Sequence, residues 1–584
     1  YRENLGLSEG EKPTFVDNMT FMFQHQIGWM YVRYFFFNFA GRESDIQGAN
    51  WLSPGGWFED LPPVLAEYKG RNNFFMIPFV LGLVGMFYES VNNTRSFAVI
   101  ALLFVLTGVA LVVYLNSPPT EPRERDYIYA GSYYAFCFWI GLAVVGMTEY
   151  LFKFLKNLKR SAIVATLIGL TAPALMAAEG WNDHDRSNRY FSVDSAVNYL
   201  QSCAQNGILF TGGDNDTFPL WYAQEVEGVR TDARVIVLSY YNTDWYIEQS
   251  MRKHYSSEPF PYTLTLKNYE QSGLNDYLPY YDAGIKQMDL HRFLELVKEN
   301  NKSLLHPNYG GTRNMLPAKE IVLKVDVAKV KSLGIIPEGM DSLVVPEMRL
   351  RVRTGGLEKK DLAMLDILAT SNWERPLYVN ATSLSQFSVD LSRYVVQEGN
   401  AYRILPVYNP KPANQMELVN TKVSYENMMK KFQFRNTDDP KVYFSQDYRN
   451  MFLNHRSSFN SLAQYLIFEG DTAKAREVLL NSLAKMPDKS VPYDYTNVET
   501  TQLLFEVGEK EKALEIANTM SQRSDELATY YIENRSYGRE LQVNVAILGE
   551  LQRVLYRYGE ADLAKKVEDS WEKHFSVLQT GGAR

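Results

Sequence analysis

Apolar positions in this chain gather in its first third, in four nearly uninterrupted runs at residues 74–88, 97–115, 128–147 and 162–178. A helix needs roughly 20 apolar residues to cross about 30 Å of hydrocarbon. The runs therefore predict a block of four transmembrane helices over residues 74–178. The first run is short and is expected to draw on Asn72 and Asn73 or to thin the bilayer. Ahead of it, residues 18–40 are dense in rings but interrupted by Gln24, His25, Gln26 and Arg33. Rings and a snorkelling arginine suit the headgroup level, so an interfacial helix is expected here, within an extracytoplasmic segment 1–73.

After Glu179 the pattern changes to short alternating elements. Residues 192–207 predict a helix stopped by Gly207, 208–212 a buried strand, 217–229 a helix with Pro219 in its first turn, and 234–240 a second buried strand. Strand, helix and strand in so short a span predict a parallel unit. Extended segments at 320–327 and 343–353 and a buried strand at 376–379 continue an α/β domain over residues 179–445. From 446 to 584 the pattern is helical. Residues 459–487, 500–520 and 551–571 each read as helix, Gly-Glu or Gly-Asp turn, then an Ala-containing helix. That recurrence predicts tetratricopeptide-like repeats, with an ordinary helical bundle as the alternative. The fold class expected is a multi-domain membrane protein: an α-helical transmembrane block, an α/β soluble domain, then all-α repeats.

Charge sets the orientation. The loop YLFKFLKNLKR carries Lys153, Lys156, Lys159 and Arg160, and cytoplasmic loops retain such residues. Alternation then puts residues 1–73, the loop 116–127 and everything after Ala178 outside, which makes this a multi-pass protein of the cytoplasmic membrane with a large periplasmic region. A basic stretch, an apolar run and ALMAA at 174–178 also resemble a signal peptide, but three runs already precede them, and a fourth span is the simpler reading. A start at Tyr1, without Met, suggests a piece of a longer protein. The 584 residues carry a net charge of −8 and no long basic block, which argues against a nucleic-acid partner. Cys137 and Cys203 are the only cysteines, so no disulfide framework is expected.

Two clusters carry candidate chemistry. PRERDY, residues 122–127, confines Arg123, Glu124, Arg125 and Asp126 to a short loop between spans. Planar guanidinium forks bind phosphate, so Arg123 and Arg125, joined by Arg42 of GRESD on the same face, are candidates to hold a lipid phosphate, with Asp126 beside them a candidate to bind the rest of that substrate. Equally, such charges cap helix ends and pair among themselves. GGDNDTFP, residues 212–219, ends a predicted parallel strand and opens a helix, a place where ligands bind. Asp214, Asn215 and Asp216 there suit sugar hydroxyls, an acceptor or a divalent cation. The alternative is a turn with an N-cap at Asp216 or Thr217. His184, in WNDHDRSN, reads as a solvated loop residue. The chain contains no Ser-His-Asp order, phosphate-binding lysine loop, zinc-ligand spacing or GxGxxG.

Taken together, WMYVRYFFFNFAGRESDIQ, PRERDYIYAGSYYAFCFWIG and FTGGDNDTFPLWYAQEVEGVRTDARVIVLSYYNTDWYI resemble, over residues 21–253, a Bacteroidota membrane family of unknown function. That family is grouped with protein O-mannosyltransferase-like glycosyltransferases of the GT-C type. The resemblance implies transfer of a sugar from a polyprenyl-phosphate donor to an extracytoplasmic acceptor such as a protein hydroxyl. It also implies a multispan half upstream of Tyr1 that carries the acidic catalytic base. Such a transfer needs a carboxylate base and cations to stabilise the leaving phosphate, the role expected of Arg123 and Arg125. The alternative is a non-enzymatic scaffold of an envelope or secretion assembly, binding proteins through its helical repeats. A transporter is disfavoured because the spans lack paired Gly- or Pro-broken helices.

Overall fold

The computed structural model describes residues 6–8, 10–118, 123–410, 416–534 and 538–579. Helices predominate, with several small sheets. The chain forms two compact units: Tyr1–Ser187 with Ser521–Leu555 and Glu560–Arg584, and Asn188–Met520 with Tyr556–Gly559.

In the first unit three helices are long and apolar enough to cross a membrane: Thr94–Leu115, Asp126–Leu155 and Leu158–His184. The first of the four apolar runs forms a shorter helix, Ile77–Asn92. This helix lies directly against Ala130–Leu155. A Cβ built on Gly85 would sit 1.7 Å from the Trp139 carbonyl oxygen, so only a residue without a side chain permits the approach. Small residues at such contacts let apolar helices pack where burial of apolar area supplies no driving force.

The aromatic stretch is helical from 15 to 39, as Phe15–Phe21, a π-helical segment Met22–Val32, and Arg33–Phe39. Its two ends differ. Phe15 and Phe23 are exposed, whereas Tyr31, Tyr34, Phe35, Phe37 and Phe39 are buried. Phe35 and Phe39 pack with Phe136 and Trp139, and Tyr31 shares a 2.6 Å hydrogen bond with Ser132. Arg33 does not snorkel outward as its place among rings suggested. It is 3% exposed because Glu124 provides an inward partner. The last helices of the chain contribute Leu527, Ala528, Tyr531, Leu541 and Val545 to a core shared with Val64, Leu65 and Trp571.

The second unit is built on a five-stranded sheet. Ile208–Thr211 pairs in parallel with Arg234–Val237 on one side and Leu377–Val379 on the other. Leu377–Val379 then pairs antiparallel with Ala401–Ile404, which pairs with Val395–Glu398. The parallel unit expected from the spacing is present, and its strands are buried on both faces, as parallel strands generally are. The extended segments near 320 and 347 form a separate antiparallel pair, Glu320–Lys324 with Glu347–Arg351. Further along, Gln446–Glu469 and Thr472–Lys485 form a helical hairpin, followed by Thr496–Glu506. The glycines of the three predicted turns, Gly470, Gly508 and Gly559, all adopt left-handed φ of +79° to +87°, the conformation that ends a helix and admits glycine without strain.

Candidate functional site

In the first unit the PRERDY loop is organised around its acid. Arg33 follows the π-helical segment, which aims its guanidinium along the ring-rich face, 3.9 Å above the Trp29 ring. From there Nη2 donates to Glu124 Oε2 at 2.7 Å and Nη1 to the Ala49 carbonyl at 2.6 Å. Tyr34 donates its hydroxyl proton to the same carboxylate, and the Gly48 amide donates to Oε1 at 2.7 Å. Burial by itself would raise the Glu124 pKa. Hydrogen bonds from Arg33, the Arg33 charge and the Tyr34 and Gly48 donors outweigh it and hold the carboxyl below its ordinary value. With its oxygens so engaged, Glu124 is an anchor rather than a free base.

The cations expected to hold phosphate stand around this anchor. Arg42 lies in the pair Gly41–Arg42, hydrogen-bonded in register with Asn72–Asn73, and its guanidinium sits 4.9 Å from the Phe37 ring centroid. Arg33 lies 5.2 Å from that same ring, so Arg42 and the loop share one neighbourhood. The Arg42 Nε is buried and has no hydrogen-bond partner among the described residues. Arg123 is exposed, 6.0 Å from the Tyr127 ring. The Arg125 amide donates to the Tyr34 hydroxyl at 3.3 Å, and Asp126 opens the short 3-10 turn Asp126–Tyr129. Pro122 lies outside the described residues. Sequence reasoning missed Arg33, although a single cation inside a run of rings is a signal that a buried acid answers it.

In the second unit the turn at 212–219 stands at the carboxyl end of Ile208–Thr211. The helix there opens at Asp214 and ends at Glu225, with Gly213 at its N-cap. Neither Asp216 nor Thr217 is therefore the cap. Both are inside the first turn, where Asp214 and Asp216 complement the positive helix end. The Thr217 hydroxyl instead donates back to the Gly213 carbonyl at 2.7 Å. Next to it, the strand Leu377–Val379 ends at Asn380, whose side chain caps Ala381–Gln386 and donates to Asp216 Oδ2 at 3.0 Å. Two parallel strands thus deliver two helix starts to one edge, with Asp216 tied down. Asp214 and Asn215 are exposed and have no hydrogen-bond or ionic partner among the described residues. No group of three or more His, Cys, Asp and Glu side chains that could hold a metal ion occurs among the described residues.

At the other end of the same strands lies an open cleft of about 1280 Å³, lined by Cys203, Arg230, Asp232, Glu398, Arg403 and Lys422 among others. Its buried acid is already satisfied. Glu398 accepts from the Tyr378 hydroxyl at 2.6 Å and from Asn420 Nδ2 at 2.8 Å, with Arg403 3.7 Å away. Burial and the neighbouring Glu398 charge push the Tyr378 phenol far above its ordinary pKa, so it stays a proton donor. Arg230 is likewise engaged, with Asp232 and with the carbonyls of Leu200 and Cys203.

Residues 192–423 match the family model of TMEM260-associated domain 2. No curated protein and no solved structure matches the chain. The part similar to TMEM260-associated domain 2 contains the five-stranded sheet, the Asp214 turn and most of the cleft, whose lining also takes in Asn427, Lys431 and Glu469 beyond it. Arg42, Arg123, Arg125 and Asp126 lie outside it.

Proposed function

We propose that this chain is a membrane glycosyltransferase of the GT-C-like, protein O-mannosyltransferase-like kind, or the acceptor-facing part of one. It takes a sugar from a polyprenyl-phosphate donor and passes it to an extracytoplasmic acceptor such as a protein hydroxyl. The observation that carries this reading is a region similar to TMEM260-associated domain 2 on a chain with three apolar helices of membrane-spanning length. Arg42, Arg123 and Arg125 hold the lipid phosphate, Asp126 beside them contacts the rest of that substrate, and Asp214, Asn215 and Asp216 face the acceptor. The orphaned Arg42 Nε and the exposed Arg123 support that role, because a phosphate takes up both donors.

In this reading Lys153, Lys156, Lys159 and Arg160 stay cytoplasmic and the α/β domain is periplasmic. The shorter helix counts as a fourth crossing. Its entry at Asn72 and Asn73 is hydrogen-bonded to Asp183 and Glu179, near the end of Leu158–His184, while Tyr88 near its exit bonds Glu149. It therefore runs alongside its neighbours from one end to the other. The helical hairpins serve as tetratricopeptide-like repeats that hold protein partners.

Arg123→Ala is the test, because its side chain is exposed and not part of the Glu124 anchor. In cells, periplasmic glycoprotein staining should fall at least tenfold with the protein level unchanged. Unchanged staining would refute the phosphate role and favour the second reading, an envelope scaffold. That second reading draws on Glu124 and Glu398, both too fully hydrogen-bonded to act as free bases.

A further inference from the structure

Along the edge that carries the Asp214 turn runs a ridge of aromatic rings that the sheet's core does not absorb. The helix Asp214–Glu225 buries Thr217, Leu220, Ala223 and Gln224, yet its opposite side presents Phe218 and Tyr222, 45% and 44% exposed. Phe218 stacks on Trp221 at 5.5 Å and 24°, Trp221 meets Tyr240 at 6.4 Å and 34°, and Tyr240 meets Trp245 at 6.0 Å and 44°. Trp245, at the far end, is 49% exposed. Trp221 and Tyr240 are half-buried against the main core, so the exposed rings are held by fixed neighbours. A single exposed ring means little, but a contiguous, anchored set marks a binding surface. Rigid rings also lose little side-chain entropy on contact.

We propose that this ridge binds carbohydrate, with the pyranose rings of a neutral oligosaccharide lying on Phe218 and Trp245. Saccharides present an apolar C–H face rimmed by hydroxyls, and this surface offers both complements. Asp214 and Asn215 stand four and three positions before Phe218, on the same side of the helix, with their acceptors and donors unspent. Asp216, fixed by Asn380, adds a carboxylate acceptor suited to hydroxyl donors, whereas Asp244, ahead of Trp245, is taken up by the Trp245 and Gln271 amides. The acids at 214, 216, 225, 227 and 244 argue against an anionic membrane surface, which attracts Lys and Arg. A hydroxyl-rich, uncharged ligand meets no such repulsion. The site lies at the carboxyl ends of parallel strands, where open α/β sheets place ligands.

This inference deepens the acceptor role proposed for Asp214–Asp216 without needing sugar transfer to occur. The test uses the purified full chain in detergent and an array of linear oligosaccharides of mannose, glucose, galactose and N-acetylglucosamine, with affinities followed by tryptophan fluorescence. At least one series should bind. Phe218→Ala and Trp245→Ala should each weaken it at least tenfold at unchanged melting temperature, Trp245→Phe should retain most of the affinity, and Asp214→Ala with Asn215→Ala should lose it. Binding by none of the series overturns the proposal, as does equal binding by the alanine variants. So does a ridge whose alanine variants change only self-association or apolar-peptide binding. Intact oligosaccharide binding alongside unchanged staining in Arg123→Ala cells would leave this inference standing while the transferase reading fell.

Discussion

Arg33 and Glu124 show what one pair of side chains does for the first unit. Guanidinium, phenol and amide donors converge on a carboxylate that is mostly removed from water, so removing the cation leaves an uncompensated charge. Arg33→Ala should destabilise the detergent-solubilised protein by about 3 kcal/mol in thermal unfolding. The pH dependence has a definite sign. The folded pKa of Glu124 is depressed, so its contribution is full above the unfolded value of about 4.3 and is lost as pH falls through the lower folded value. Glu124→Gln should therefore be less stable than the native chain at neutral pH, and the gap should narrow below about pH 4. The two partners are 91 positions apart, so no local period links them. The ring-rich stretch was legible as a helix from composition. Which way its cation points was not, because that depends on a loop brought in from between two later helices.

Among elements, helix contacts depend on where side chains are missing. Gly85 permits the backbone of Ile77–Asn92 to touch that of Ala130–Leu155, so Gly85→Val should drive the helices apart at a cost of at least about 3 kcal/mol, seen as loss of the monodisperse peak in size-exclusion chromatography. Gly141, on the same long helix, has open space around its Cβ position, and Gly141→Val should keep that peak. If both variants behave alike, the close approach is not what holds the helices. The hairpin turns were legible because a Gly followed by an acid after a helical run has one good conformation. The start of Asp214–Glu225 was misplaced by three residues because Gly213 caps it without a side chain, leaving no capping residue to read.

For the whole molecule, the orientation awaits labelling. A single cysteine at Asp214 in a cysteine-free background should react with an impermeant maleimide in intact cells, and one at Lys156 only after permeabilisation. The reverse pattern would invert the arrangement and remove the lipid-phosphate and acceptor roles together. The sequence by itself determined the apolar helices, the parallel strand pair and the glycine turns, since each depends on residues within one turn or one strand of each other. Only the tertiary structure decided that Glu124 is spent on Arg33, that Asp216 is fixed by Asn380, and that Phe218, Trp221, Tyr240 and Trp245 form one ridge. Apart from the local steps Phe218–Trp221 and Tyr240–Trp245, these are meetings between residues remote along the chain. They are set by packing and by the need to pair buried charge, which no local pattern records.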